Sequence, residues 1–268
     1  MKLAFSTLGC PQWSLDQIIE AARACGYEGV ELRCYRGSLD LLEALSQFPG
    51  GPAEFRRRLG RAGIEVCCLD TSIQLADPDE SVPDGDRMID LAMALGAPYL
   101  RVFGGEIPSG ESRESCVARA AGKLARLGKR AAQRGKRVLV ETHDAFSTGA
   151  SVAALLQAAG SEGVGVLWDL HHPYRMGEAP EKTAGLIARS TYHAHVKDSK
   201  DGGYKFLGEG DIPLDELVSK LHSAGYAGYL CLEWEKQWHP ELPEPEVAFP
   251  QAAGYLSDLL AGLGIRRG

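Results

Sequence analysis

A single-domain (β/α)8 barrel of the α/β class, spanning residues 1–268, is the fold this sequence predicts. Short apolar runs alternate with helical stretches about eight times along the chain, in units of roughly 30 residues. Polar, chemically competent residues collect at the C-terminal ends of those runs, where a barrel would gather them in one mouth. An open doubly wound sheet fits less well. The first β/α turn, STLGCPQWS, lacks a GxGxxG phosphate fingerprint, and the candidate ligands follow strands five to eight in succession rather than one switch-point crevice.

The strand candidates are LAFST (3–7), GVELR (29–33), IEVCCL (64–69), YLRVF (99–103), RVLVE (137–141), VGVLW (164–168), YHAHV (192–196) and YLCLE (229–233). Several are apolar on both faces, as parallel strands covered by helices require. Between them, Ser14 caps a first helix with Gln17 three residues on, and Leu15, Ile18, Ile19 and Ala22 form its apolar stripe. A long helix from Cys116 to Ala132 turns Val117, Leu124 and Leu127 to one side. Asp211 and Pro213 start another that carries Leu214, Leu217, Val218 and Leu221 inward. Gly26, Gly63, Gly96, Gly135 and Gly225 stand just before strands, where glycine suits a left-handed helix terminus. The longest connections follow strand two (Cys34 to Pro52), strand three (Thr71 to Val82) and strand eight (Trp234 to Glu246), all on the face that bears the polar residues.

Composition narrows the function. A net charge of -7 argues against a groove built on phosphate neutralisation, so no nucleic-acid partner is expected. No apolar run approaches membrane-spanning length, and MKLAFSTLG runs directly into a strand pattern rather than a signal segment. A cytoplasmic protein without membrane attachment is expected. Seven cysteines with no CxxC pair read as reduced, mostly buried thiols, and the adjacent Cys67 and Cys68 should point to opposite faces of their strand.

Four residues stand directly at strand ends: Glu141, Asp169, His195 and Glu233. Any one of them could cap a strand with no further role. Four in consecutive units, attached to apolar strands, require a shared partner, because buried charge persists only when paired or ligating. Three carboxylates and one imidazole form a donor set for one divalent ion, Mn²⁺, Mg²⁺ or Co²⁺ by hardness, with Zn²⁺ also compatible. His172 would face substrate from WDLHHP, with His171 the competing choice. His193 shares a strand face with His195 as a supporting or packing residue, and Lys197 continues that face as an oxyanion partner or as the counter-ion of a mouth carboxylate. His143 would hydrogen-bond a substrate hydroxyl or hold its loop. Trp234 and Trp238 offer a wall for the apolar face of a sugar, although Trp238 and His239 suit the barrel rim or a dimer contact better. Arg101 suits an anionic substrate group, and Arg33 and Glu31 are further candidates for the mouth.

The segments ETH with Glu141, WDLHHP with Asp169 and His172, HVKDS with His195, and LEWE with Glu233 resemble the xylose isomerase-like barrels. That family includes sugar isomerases and epimerases, inosose and dehydroshikimate dehydratases, and endonuclease IV repair enzymes. The resemblance covers essentially the whole chain and is most specific in its second half. It implies that Glu141, Asp169, His195 and Glu233 bind one divalent ion, that Glu141 and Glu233 are also the catalytic proton carriers, and that His172 touches substrate. It does not extend to a trinuclear endonuclease site. The ends of strands two to four read LRCY, LDTS and VFGG without histidine, and GGYKFL precedes the GEG turn where an Asp-x-His element would stand. The expected activity is metal-dependent isomerisation or epimerisation of a small sugar or polyol-derived ketone through a cis-enediolate. An inosose-type dehydratase and a non-catalytic sugar-binding barrel are the alternatives, and a homodimer or homotetramer is the candidate assembly.

Overall fold

The computed structural model describes residues 1–78 and 85–268. Among them, eight parallel strands close into a barrel: β1 (Lys2–Ser6), β2 (Gly29–Leu32), β3 (Glu65–Gln74), β4 (Tyr99–Phe103), β5 (Arg137–Glu141), β6 (Val164–Asp169), β7 (Thr191–Val196) and, after the small antiparallel hairpin of β8 (Asp198–Lys200) and β9 (Gly203–Lys205), β10 (Tyr229–Leu232). Each strand pairs with its neighbour in sequence, and the last closes on the first through Tyr229 beside Lys2 and Leu232 beside Phe5. The helices are α1 (Leu15–Cys25), α2 (Leu41–Ser46), α3 (Gly51–Arg61), α4 (Gly85–Leu95), α5 (Arg113–Ala132), α6 (Gly149–Ala159), α7 (His171–Arg175), α8 (Pro180–Ile187), α9 (Leu214–Ser223) and α10 (Pro245–Gly262). No helix among the described residues is long and apolar enough to cross a membrane.

Alternation along each strand divides the core in two. Outward residues meet the helices: Phe5 stacks at 4.4 Å on Phe249 of α10 and meets Tyr27 edge-on at 5.1 Å. Each fully buried apolar side chain of this layer, Trp168 and Phe55 among them, contributes about 1.5–3 kcal/mol by leaving water. Inward residues fill the barrel floor with small clusters around Cys67, Cys231, Cys68, Leu139 and Leu167, and higher up they become charged.

Local signals place the helices. Ser14 Oγ accepts from the Gln17 backbone and Gln17 Oε1 accepts from the Ser14 backbone at 2.9 Å, the expected capping box. Gly26, Gly63, Gly96, Gly135 and Gly225 all have positive φ, from 66° to 91°. In α1, Leu15, Ile18 and Ala22 are buried while Ile19 is half-buried, and in α9 the four expected positions are all buried.

Several boundaries and roles differ from the sequence reading. Helix α5 begins at Arg113 because Ser112 caps it, and of its expected stripe Leu124 and Leu127 are buried while Val117 is half-buried. Asp211 does not cap α9: its carboxylate pairs with Arg175, leaving Pro213 to stiffen the helix entry. Strand β3 runs past the rim to Gln74, which lies beside Phe103 of β4, and the connection after strand two contains α2. The connection read from Thr71 to Val82 therefore starts later, and its far end lies outside the described residues. Cys67 and Cys68 do not face opposite ways. A register shift pairs Val30 with Val66 but Glu31 with Cys68, so Cys67 is an extra residue and both thiols join the barrel interior. The seven cysteines are free and six are buried. The hairpin was missed, although its Asp201-Gly202 turn, with φ of 52° and 78°, carries the usual signal for a tight reversal.

Candidate active site

Threonines lock neighbouring strand ends to one another and so set the height of the site. Thr7 Oγ1 accepts from the Arg33 backbone at 2.9 Å, Thr71 Oγ1 donates to the Arg101 carbonyl at 2.8 Å, and Thr142 Oγ1 accepts from the Asp169 backbone at 3.0 Å. Beside them Asp198 accepts backbone N–H groups from Ser199, Gly208, Gly210 and Ile212, folding the segment after β8 around one carboxylate. Gly210 has no alternative there, since a Cβ would lie 1.9 Å from the Asp198 oxygen.

Within that frame the four residues at the ends of β5, β6, β7 and β10 converge. One ligand atom from each of Glu141, Asp169, His195 and Glu233 lies within 4.8 Å of the others, and all four residues are buried. His195 Nδ1 stands 3.3 Å from Glu141 Oε1 and 3.3 Å from Glu233 Oε2. Its other nitrogen, Nε2, is 2.8 Å from Glu31 Oε2, which is also 2.8 Å from His193 Nε2. A buried ionised carboxylate can only accept, so each Nε2 carries a proton, and a neutral His195 ring would turn its Nδ1 lone pair toward two carboxylates. That apposition requires a positive charge. Burial opposes charge on His195, but Glu233 and Glu31 outweigh it and hold its pKa well above the ordinary range, so a proton on Nδ1 fills the position when a metal ion does not.

The donor set fits a divalent ion. Glu141 Oε1 and His195 Nδ1 are buried and make no hydrogen bond among the described residues, Asp169 Oδ2 and Glu141 Oε2 meet the cations Lys197 and Arg101, and three carboxylates with one imidazole suit a hard or borderline cation. Glu31, which the sequence reading placed only at the mouth, orients the imidazole. Glu31→Gln keeps an acceptor oxygen but removes the negative charge that both imidazole N–H groups share. It should weaken Mn²⁺ or Co²⁺ binding about 10–100-fold by calorimetry; unchanged affinity would detach Glu31 from the ion.

Cations hold the carboxylates in place. Lys197 Nζ lies 2.8 Å from Asp169, 2.6 Å from Glu233 and 2.8 Å from Glu235. Burial works against its charge, but the three acids raise its pKa well above the usual value. Lys197 is thus a counter-ion to the cluster, the second of its two expected roles. Arg101, expected to meet substrate, is 1% exposed and pairs instead with Asp70 at 2.9 Å and Glu141 at 3.3 Å. Asp70 was not recognised in the sequence, although it follows an apolar strand run in the same way as Asp169.

The outer residues sort as follows. His172 borders the cluster, with Nε2 3.4 Å from Asp169 Oδ2, and its ring lies 4.8 Å from that of the half-buried His143. His143 Nδ1 meets Asp144 at 2.7 Å, so the residue also holds its own loop. His171 is taken up by Ser199 Oγ at 2.8 Å, which leaves His172 as the imidazole nearest the mouth. Trp234 is 4% exposed, its indole N–H donates to the Pro243 carbonyl at 3.0 Å, and its ring stacks on Phe206 at 5.5 Å. It therefore packs the loop after β10 instead of offering a face to a sugar, while Trp238 is 49% exposed.

Comparison with known proteins bears on the fold and the family. Over 162 residues the chain is 29% identical to a Streptomyces coelicolor protein described as a candidate hydroxypyruvate isomerase, covering 56% of this chain and 57% of that protein. Over 170 residues it is 25% identical to the inosose isomerase of Halalkalibacterium halodurans, covering 58% and 59%. The chain thus aligns with somewhat more than half the length of these relatives. The crystal structure of the IOLI protein with a bound zinc atom superimposes with a TM-score of 0.83 at 18% identity, over 98% of this chain and 99% of that one, and shares the fold. The family model for xylose isomerase-like TIM barrels matches residues 19–259. The chain belongs to the xylose isomerase-like TIM barrel family.

Proposed function

We propose that this protein is a divalent-metal-dependent isomerase or epimerase of a small sugar or sugar-derived ketone, working through a cis-enediolate with Glu141 and Glu233 as its proton carriers. The observation that carries the reading is the convergence of Glu141, Asp169, His195 and Glu233 around one point, with the imidazole lone pair aimed into it. These four residues would hold the ion. When bound, it supplies Lewis acidity toward a carbonyl oxygen and its neighbouring hydroxyl.

The chain's own residues supply the rest. Burial opposes ionisation of Glu141 and Glu233, but Arg101 at Glu141, and His195 with Lys197 at Glu233, keep both pKa values below the usual carboxylate value. Each is therefore ionised at neutral pH and ready to take the carbon-bound proton next to the carbonyl. One carboxylate that gives this proton to the neighbouring carbon, while the hydroxyl proton passes to the former carbonyl oxygen, completes an aldose–ketose isomerisation. Epimerisation needs the second glutamate to enter the cycle protonated and deliver from the other side. His172 and His143, side by side at the mouth, offer hydrogen bonds to substrate hydroxyls. The names of the two aligned relatives, both isomerases of small oxygenated ketones, support the same chemistry.

The test is proton NMR of Mn²⁺- or Mg²⁺-loaded protein in D₂O with ketoses, ketose phosphates and inososes. Deuterium should enter a carbon beside the carbonyl and stop entering when the metal is chelated. Product identity separates isomerase from epimerase, and loss of water would move the assignment to a dehydratase. A panel that binds yet never exchanges would mean a sugar-binding barrel.

A further inference from the structure

Arg33 lies one residue past β2, a single alternation above Glu31, and is 5% exposed. Its backbone N–H is fixed to Thr7 Oγ1, so the side chain has a defined origin on the rim. Nη1 donates to Ser72 Oγ at 3.1 Å, and among the described residues this is the only hydrogen bond of the guanidinium, with no carboxylate in ion-pair distance. The contrast with its neighbours is sharp: Arg101 has Asp70 and Glu141, and Lys197 has three acids. Buried cations are ordinarily paired, because an unpaired one carries its desolvation cost uncompensated. Burial and the nearby Arg101 bring the Arg33 pKa down to about 10, offset only in part by Asp70 and Glu233, neither of which reaches ion-pair distance.

The position of Arg33 says where its partner would come from. Its guanidinium lies 6.0 Å from the ring of Phe103, the ring that also carries Arg101 at 3.8 Å and meets His143 at 4.8 Å. Arg33 therefore stands on the same rim as the imidazoles that border the candidate metal cluster, with Nε and Nη2 lacking a protein partner. A planar guanidinium fork matches a carboxylate bidentately. The backbone N–H groups of Gly208 and Gly210, in the glycine-bearing turn after the hairpin, already donate to Asp198 and are not free to cradle a phosphate.

We propose that Arg33 receives a substrate carboxylate, so that the substrate of this site is a sugar-derived keto acid rather than a neutral ketose. The proposal rests on the enolising site described above and names the substrate class for it. The substrate's own carboxylate is the counter-ion that the fold omits, and it orients the ketone toward Glu141 and Glu233.

The experiment compares three small probes by calorimetry on Mn²⁺-loaded protein: hydroxypyruvate, dihydroxyacetone, which replaces the carboxylate by CH₂OH, and dihydroxyacetone phosphate. A keto acid can also reach the ion, so the change in preference between wild type and Arg33→Gln decides the matter. The variant should lose at least tenfold in its preference for hydroxypyruvate over dihydroxyacetone, and Arg33→Lys should keep part of that preference. Mn²⁺ affinity, read by separate titration of the metal-free proteins, verifies that each variant retains its folded site. An unchanged preference in Arg33→Gln overturns the proposal. A larger Arg33-dependent loss for dihydroxyacetone phosphate than for hydroxypyruvate overturns the carboxylate and puts a phosphate in its place. Because binding and not turnover is read, a failure of the isomerase reading leaves this result intact and separately interpretable.

Discussion

Glu233→Gln and Glu141→Gln should each lower metal-dependent turnover by about 10²–10⁴-fold, the usual scale for removing a positioned proton carrier. Glutamine keeps the size of the side chain and a carbonyl lone pair, so the buried packing at both positions survives. What it cannot do is take a proton from carbon. The two variants should differ in their secondary effects. Both glutamates lie 3.3 Å from His195 Nδ1, but Glu233 also sits 2.6 Å from Lys197, so its amide disturbs the ammonium that neutralises Asp169. Glu141 answers to Arg101 at 3.3 Å, and that guanidinium keeps Asp70 whatever happens at position 141. Metal affinity should therefore fall further in Glu233→Gln. The check is single-turnover deuterium exchange at verified metal occupancy. Full activity in either variant would remove that glutamate from proton transfer.

The part of this site that could be read in the sequence followed one rule. An acid or imidazole at the C-terminal end of an apolar strand run has to be inside a barrel mouth, and the rule found Glu141, Asp169, His195 and Glu233 without knowledge of their distances. The same rule applied to GVEL and VCCL points to Glu31 and Asp70. Glu31 reads no further than the mouth and Asp70 passes unmarked within LDTS, because four residues on strands five to eight already complete the donor set of one ion. What a sequence cannot carry is which charge answers which. Arg101 and Lys197 looked available to substrate, yet their partners come from four other strand ends. Trp234 looked like a sugar platform, yet the hydrogen bond to Pro243 that buries its indole depends on the path of the loop after β10. The bulge at Cys67 is invisible for a related reason: period-two alternation has no symbol for an inserted residue, and the shift becomes evident only through the pairing of Glu31 with Cys68.

Lys197→Met should make the stability of the fold depend on metal. Methionine retains the apolar stem, but it takes from Asp169, Glu233 and Glu235, each within 2.8 Å of the lost ammonium, their shared counter-charge and leaves only the His195 imidazolium beside Glu233. Breaking a buried ion pair by removing one member costs about 3–5 kcal/mol, and three acids answer this lysine, so the metal-free variant should fall at the upper end. Two of those acids also belong to the proposed donor set. Removing a positive charge beside them strengthens their attraction for a divalent ion, so saturating Mn²⁺ should stabilise Lys197→Met by more than it stabilises wild type, as linkage requires of a ligand bound to the folded state alone. Urea unfolding of both proteins in chelator and in excess Mn²⁺ reads the difference directly. If the variant is destabilised equally under both conditions, Lys197 acts through Glu235 on the rim and contributes nothing to the charge balance of the ligand set.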